Sequence, residues 1–288
     1  MHIRDRLTRS ALSVLTAAAV TTTLTLATSP ASADPPTDTM SPTATWSDEF
    51  DGPAGTAPDP TKWTHEVNGD GGGNGELQYY TDSTANASLD GNGNLLITAR
   101  RENPGNYQCH YGYCQYTSAR LVTAQTFTQQ YGHFEARIKV PSGTGMWPAF
   151  WMLGHDITTG TPWPDCGEID IMENIGSEPS TVHGSLHGPG YFGGNPLTGS
   201  YSLPGGARFS DDFHTFAVDW APDHIAWSVD GQEYSRHTPA ETGGNPWPFD
   251  HPFFIILNVA VGGSWPGPPG GDTQFPQSMV VDYVRVDA

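Results

Sequence analysis

The feature that most restricts the fold of this chain is a succession of short apolar or alternating runs, each closed by glycine or proline. The runs are 94–101, 118–123, 132–140, 149–153, 168–174, 181–187, 214–220, 224–229, 253–260 and 279–286. None carries apolar residues at the three-to-four spacing of an amphipathic helix over several turns. With 34 Gly and 25 Pro to supply turns, the pattern predicts an all-β chain of many short strands, an antiparallel sandwich or barrel. Residues 134–140 alternate apolar and polar, which predicts a strand with one wet face. Residues 253–257 are apolar throughout, so that strand is expected in the middle of a sheet with both faces covered. Three Gly-rich stretches, 68–75, 188–206 and 262–267, are expected as loops, the second read on its own as surface slack.

The N-terminus carries Arg4, Arg6 and Arg9, then a Thr/Ala-rich apolar stretch to Ala27, then Ala31-Ser32-Ala33. This reads as a secretory signal peptide over 1–33. The alternative, an uncleaved anchor, needs about 20 strongly apolar residues, and the threonines interrupt them. Residues 34–44 are expected to be flexible and 45–288 to form a single catalytic β-sandwich domain, because β domains of about 250 residues are common and neither linker nor repeat divides the chain.

Export implies that disulfides persist. Cys109 and Cys114 lie close enough to pair around an aromatic, Gly-containing loop, which leaves Cys166 over. No His stands near it in sequence, so it reads as a small buried thiol. The formal charge of −19 repels nucleic acid and anionic membranes and favours a neutral partner, although acidity also serves solubility.

The most informative segment is 165–174, Asp-Cys-Gly-Glu-Ile-Asp-Ile-Met-Glu-Asn. Carboxylates avoid strands with apolar neighbours because burying unpaired charge is expensive. Here Glu168, Asp170 and Glu173 stand among Ile and Met. On a regular strand Glu168 and Asp170 share a face and Glu173 points to the other. One extra residue in a β-bulge, most simply Met172, returns Glu173 to the common face, and bulges concentrate beside active sites. Two carboxyl groups about 5 to 5.5 Å apart are what a retaining glycosidase needs, one ionised to attack and one protonated to donate. Crowding of like charges raises the pKa of the less compensated acid. The pattern does not say which Glu plays which part. A Ca²⁺ or Mg²⁺ site is the rival reading of the cluster, but such ions usually collect ligands from a loop.

Glu168 to Glu173 resembles the active-site signature of the laminarinase branch of glycoside hydrolase family 16. The likeness extends, in the family's order, to 46–50, 74–81, 145–153, 182–187, 213–216, 254–263 and 281–285. The resemblance implies a jelly-roll sandwich with a concave glucan cleft, Glu168 as nucleophile, Glu173 as acid/base and Asp170 as helper. It implies endo-acting, retaining cleavage of β-1,3-glucan; the protein is expected to be a secreted monomer with no organic cofactor. The inserted Met172 resembles the laminarinase form, whereas mixed-linkage lichenases look like Glu-x-Asp-x-Glu; galactan-cutting members share the longer form.

Trp147 and Trp151, four apart on a strand, share a face and suit stacking on sugar rings; Phe150 between them reads as core. The resemblance adds Asn74, Arg120, His187, Asn258 and Trp265 to the cleft, with an interior hydrogen-bonded role as the other reading of His187. It also implies a structural Ca²⁺ away from catalysis, held by the Asp282 carboxylate and the backbone oxygens of Glu49 and Gly93. A glucan-binding lectin on the same sandwich is the competing class. Such a protein is expected to lack one or both glutamates, and both are present.

Overall fold

The computed structural model describes residues 45–288; the segments 1–33 and 34–44 lie outside them. Two large antiparallel sheets carry the chain. One runs, neighbour to neighbour, through Leu197–Ser202, Thr181–His187, Glu168–Glu173, Met146–Gly154, Phe253–Val261, Arg120–Val122 and Thr64–His65. The other runs through Gln232–His237, His224–Val229, His214–Ala221, Gly132–Lys139, Gln277–Asp287, Leu95–Ala99 and Ala87–Leu89, with Trp46–Asp48 paired to Gln277–Asp287. The only helical pieces among the described residues are three 3₁₀ turns. Of the antiparallel sandwich or barrel that the turn-punctuated sequence predicts, the chain forms the sandwich, and it is the jelly roll that the family resemblance implies.

The core forms where the inward faces of the two sheets meet. Phe134, Ile138, Phe150, Met152, Trp227, Ile255 and Leu257 are all fully buried there, each contributing about 1.5–3 kcal/mol of burial free energy. Gly132–Lys139 alternates buried and half-exposed residues from Phe134 onward, as its sequence predicts. Phe253–Val261 is buried at every position between Met146–Gly154 and Arg120–Val122, because its outer face lies under side chains and loops.

Two details differ from the expectation. The stretch 188–206 is not slack throughout: Leu197–Ser202 is an edge strand paired to Thr181–His187. Its alternation is written in Thr, Gly and Ser, which carry little apolar signal. The run 118–123 is split, Tyr116–Ser118 pairing in parallel with Gln78–Tyr80 while Arg120–Val122 joins the large sheet.

Candidate active site

The bulge in Glu168–Glu173 is fixed by its two neighbours. Against Met146–Gly154, Glu173 pairs with Ala149 and Asp170 with Trp151, so two residues on one strand span three on the other. Against Thr181–His187, Glu168, Asp170 and Glu173 face His187, Ser185 and His183, which alternate regularly. All three acids therefore share one face of the sheet. The residue left unpaired toward Met146–Gly154 is Ile171, not Met172, which pairs with Phe150. Both are buried, so the bulge turns two apolar side chains away from the acids.

The opposite sheet anchors this distortion. The indole of Trp227 crosses the core and donates to the carbonyl of Asp170 at 2.7 Å, satisfying a buried acceptor within the distorted segment. It reaches that far because Gly184 has no side chain: a Cβ there would stand 2.3 Å from the Trp227 ring.

The acids lie on an open sheet face, yet their environment is nearly dry. Glu168, Asp170 and Glu173 are each pushed up to about 8, chiefly by burial, with the charge of Asp170 contributing for the two glutamates. Indole donors oppose this. Trp163 donates to Glu168 Oε2 at 3.0 Å and Trp147 to Glu173 Oε1 at 3.0 Å. His187 Nε2 lies 3.1 Å from Asp170 Oδ2 and 3.6 Å from Glu168 Oε1. Its Nδ1 accepts the backbone N–H of Gly193 at 3.0 Å, which places the imidazole proton on Nε2, facing the carboxylates.

That tautomer bears on the metal reading. Glu168, Asp170 and His187 bring donor atoms within 4.8 Å of one another. A histidine ligand, however, needs a free lone pair at the metal, and Nε2 carries hydrogen here. The arrangement suits proton sharing among carboxylates better than a cation.

The other predicted cleft residues gather on the Met146–Gly154 side. Trp151 donates to Asn258 Oδ1 at 2.7 Å, and Asn258 donates to the Tyr80 hydroxyl at 3.1 Å. Tyr80 in turn donates to Glu76 Oε2 at 3.1 Å, as does Gln78 at 2.7 Å, while Asn74 reaches Glu76 Oε1 at 3.4 Å. Arg120 lies over the Trp151 ring at 4.7 Å with its Nε 2.8 Å from Glu66. One face of Trp151 is thereby covered by the guanidinium, and Trp147 and Trp151 are both half-buried. Trp265, 40% exposed, packs edge-to-face on both Trp147 and His183.

The sequence reading missed Glu76, Tyr80, His183, Trp163 and Phe192. Glu76 and Tyr80 lie in the same block as Asn74, and a buried acid beside Gln78 was the available signal. Nothing local marked Trp163, which precedes Glu168 by five residues in a Pro-bounded loop.

Cys109 and Cys114 are disulfide-bonded. The loop they close braces the Asn74–Tyr80 segment: His110 Nε2 lies 3.0 Å from the Glu76 carbonyl, and Tyr111 donates to the Leu77 carbonyl at 2.6 Å. Cys166 is free and buried, with its thiol pushed up to about 12, chiefly by burial. A thiol so rarely ionised is a poor nucleophile.

The residues expected to hold calcium lie elsewhere. The carbonyl of Glu49 faces Gly93, where a Cβ would stand 3.8 Å from that oxygen and 3.8 Å from Asp51 Oδ1. Strand register sets Asp282 next to Val281, which pairs with Leu95. Carbonyl and carboxylate oxygens fit a hard cation. The Asp282 carboxylate also accepts from Arg137 Nη1, so an ion there shares it with a guanidinium.

Two glutamates on one bulged face, flanked by indoles and lying open to solvent rather than in a closed pocket, define the class: a retaining glycoside hydrolase of the β-sandwich type that works on an extended chain. Within that class the chain belongs to the family described as glycosyl hydrolases family 16, whose model matches residues 74–285. It is 46% identical over 250 residues to the β-glucanase of Rhodothermus marinus, with 84% of this chain and 83% of that protein covered. It is 40% identical over 259 residues to glucan endo-1,3-beta-glucosidase A1 of Niallia circulans, spanning 84% of this chain but 37% of that protein. The laminarinase catalytic domain from Thermotoga maritima superposes with a TM-score of 0.78 at 49% identity, covering 85% of this chain and 97% of the other.

Proposed function

We propose that this chain cuts β-1,3-linked glucan internally, with retention of configuration, through a covalent glycosyl-enzyme. The observation that carries the reading is the bulged register, which sets both glutamates on one cleft-facing side of the sheet. Their compensation differs. Glu168 receives the Trp163 N–H and stands beside His187 Nε2, so it is the better stabilised anion and attacks the anomeric carbon. Glu173 receives the Trp147 N–H alone and keeps its proton, which it gives to the leaving glycosidic oxygen. In the second half-reaction the Glu173 carboxylate takes a proton from water as it attacks the same carbon, releasing Glu168. Asp170 stands between them with its Oδ2 3.1 Å from His187 Nε2, and burial favours its protonated form, from which it can share a proton with Glu168 as charge moves.

The glucan specificity is supported by the printed activities of the relatives together with the Asn258, Arg120 and Trp147 wall. Digestion of laminarin, lichenan and a β-1,3-galactan, with products resolved by chromatography, tests it. Laminarin is expected to give a ladder of short oligosaccharides early in the reaction. Binding of laminarin without new reducing ends would make the chain a lectin, and preferential cleavage of the galactan would move the specificity.

An exported setting agrees with the Cys109–Cys114 bond, and its direct check is the N-terminal residue of the protein recovered from culture medium. The proposed structural Ca²⁺ would be held by Asp282 with the carbonyl oxygens of Glu49 and Gly93, tying the first described strand to the last. At about 100-fold excess over its dissociation constant such an ion adds about 2.7 kcal/mol. For a domain of this size that is a rise in Tm of about 5–10 °C. Calorimetry with Ca²⁺ and with EDTA reads it, while kcat at 25 °C stays the same. Equal Tm in both would remove the site.

A further inference from the structure

Glu76 is an acid for which the proposed chemistry has no task, and it lies in a buried wall of polar groups. It is 6% exposed, and Gln78, Tyr80 and Asn258 are 1%, 3% and 6% exposed. A carboxylate withdrawn from water costs stability unless donors are aimed at it. Here they are: Oε2 accepts from Gln78 Nε2 and from the Tyr80 hydroxyl, and Oε1 lies 3.4 Å from Asn74 Nδ2. The Gly-rich loop closes over the carboxylate, since a Cβ on Gly72 would stand 2.4 Å from Oε1. His110 and Tyr111 of the disulfide-closed loop hold the carbonyls of Glu76 and Leu77.

The hydrogens of this wall are placed from both ends, because a backbone N–H and an indole N–H can only donate. The Val261 N–H takes Gln78 Oε1 at 2.7 Å, which turns the Gln78 amide nitrogen toward Glu76. The Trp151 indole takes Asn258 Oδ1 at 2.7 Å, which turns the Asn258 nitrogen toward Tyr80 at 3.1 Å. The Tyr80 oxygen therefore accepts from Asn258 and gives its own hydrogen to Glu76. Burial, and then the charge of Glu76, push the Tyr80 phenol well above its usual range, so it keeps that hydrogen. Trp151 gives the first hydrogen of the chain and Glu76 takes the last.

The chain ends beside the acids. Asn258 pairs with Ala149, which pairs with Glu173, and Trp151 pairs with Asp170. Residues directly opposite on neighbouring strands share a face, so Asn258 and Trp151 stand on the acids' side of the sheet. We propose that Glu76 is a positioning residue: as the last acceptor of the chain Trp151–Asn258–Tyr80, it fixes the amide of Asn258 and the ring of Trp151 beside the acids, acting through them rather than on the substrate. Small displacements of groups that orient a substrate are costly in rate. The proposal rests on the reading that a glucan is bound and cut along this face.

Tyr80→Phe removes one hydroxyl and keeps the ring, so the Asn258 nitrogen loses its acceptor and the amide is free to turn. Its kcat/KM on laminarin is expected to fall about threefold to tenfold, the size of one hydrogen bond. The indole N–H resonance of Trp151 in heteronuclear NMR, assigned by its loss in Trp151→Phe, is expected to move upfield and to exchange faster with solvent. Glu76→Ala is expected to change both readings in the same direction. Glu76→Gln keeps an oxygen that accepts from Tyr80 and Gln78, and it is expected to recover most of the rate and the native resonance. An indole resonance that stays in place in Tyr80→Phe would overturn the positioning role, even if activity or Tm fell. So would a Glu76→Gln protein no better than Glu76→Ala. If Glu76→Ala does not fold, the Tyr80→Phe resonance decides. The wild-type protein is assayed on all three polysaccharides first; if it cuts none, the function reading fails, and the resonance, which needs no substrate, still tests Glu76.

Discussion

Glu168→Gln and Glu173→Gln are each expected to lower kcat on laminarin by about a thousandfold or more while leaving the fold intact. Either amide occupies nearly the volume of the acid it replaces, and each glutamate keeps its neighbouring indole. What is lost is a lone pair able to form the glycosyl bond in one case and a transferable proton in the other; positioned acid–base groups alone contribute about 10²–10⁴-fold. The two are told apart by adding azide to Glu168→Ala and Glu173→Ala with an activated aryl glycoside. Azide entering the space vacated at residue 168 attacks the anomeric carbon directly and gives an inverted glycosyl azide. At residue 173 it attacks the existing glycosyl-enzyme and gives the retained product. The reverse pattern of stereochemistry would exchange the two roles.

Asp170→Asn is expected to make the protein more stable and less active, with a stability gain that depends on pH in a definite direction. The native state holds Glu168, Asp170 and Glu173 at about 8 because burial disfavours their charge, whereas in the unfolded chain such acids ionise near 4. Below about pH 4 both states are protonated, and the cluster costs nothing. As pH rises from about 4 to 8 the unfolded chain releases protons that the folded one retains, so native stability falls, and above about 8 the full penalty applies. Removing one of three crowded acids relieves part of it. At pH 8 the variant should be about 2–5 kcal/mol more stable than the parent, and near pH 4 the difference should vanish. Thermal or urea unfolding at the two pH values measures this. A gain of equal size at both would mean that the acids are no harder to ionise in the folded protein than in the unfolded chain.

The two results together describe a site where stability is given up for chemistry. Dry surroundings raise the proton affinity of the acids into the range where one can attack and another donate, and the indoles of Trp163 and Trp147 decide which side chain is oriented for which step. Trp227 supports this from across the core, because its hydrogen bond to the Asp170 carbonyl fastens the bulge.

Legibility in the sequence followed the range of the interaction. Alternation at 134–140 and the unbroken apolar run at 253–257 translated directly into a one-sided and a two-sided strand, since a side chain's face is set by its own backbone. The need for a bulge between Asp170 and Glu173 was also visible, because three acids at those offsets cannot share a face of a regular strand. Which residue drops out of pairing was not: Ile171 rather than Met172 loses its partner toward Met146–Gly154, a choice made by how the two neighbouring strands register. Leu197–Ser202 escaped notice because an edge strand written in Thr, Gly and Ser has almost no apolar signal.

The sequence by itself determined the strand pattern, the presence of an acidic triplet that a regular strand would split, and two indoles on the neighbouring face, because each depends on residues within one strand. Only the tertiary structure decided that Trp163 reaches Glu168, that Gly193 fixes the hydrogen of His187, that Asn258, Tyr80 and Glu76 form one network, and that Trp227 fits through the space at Gly184. Those contacts join atoms from different strands and loops. Their existence depends on distances of about 3 Å, which only the packing of two complete sheets can set.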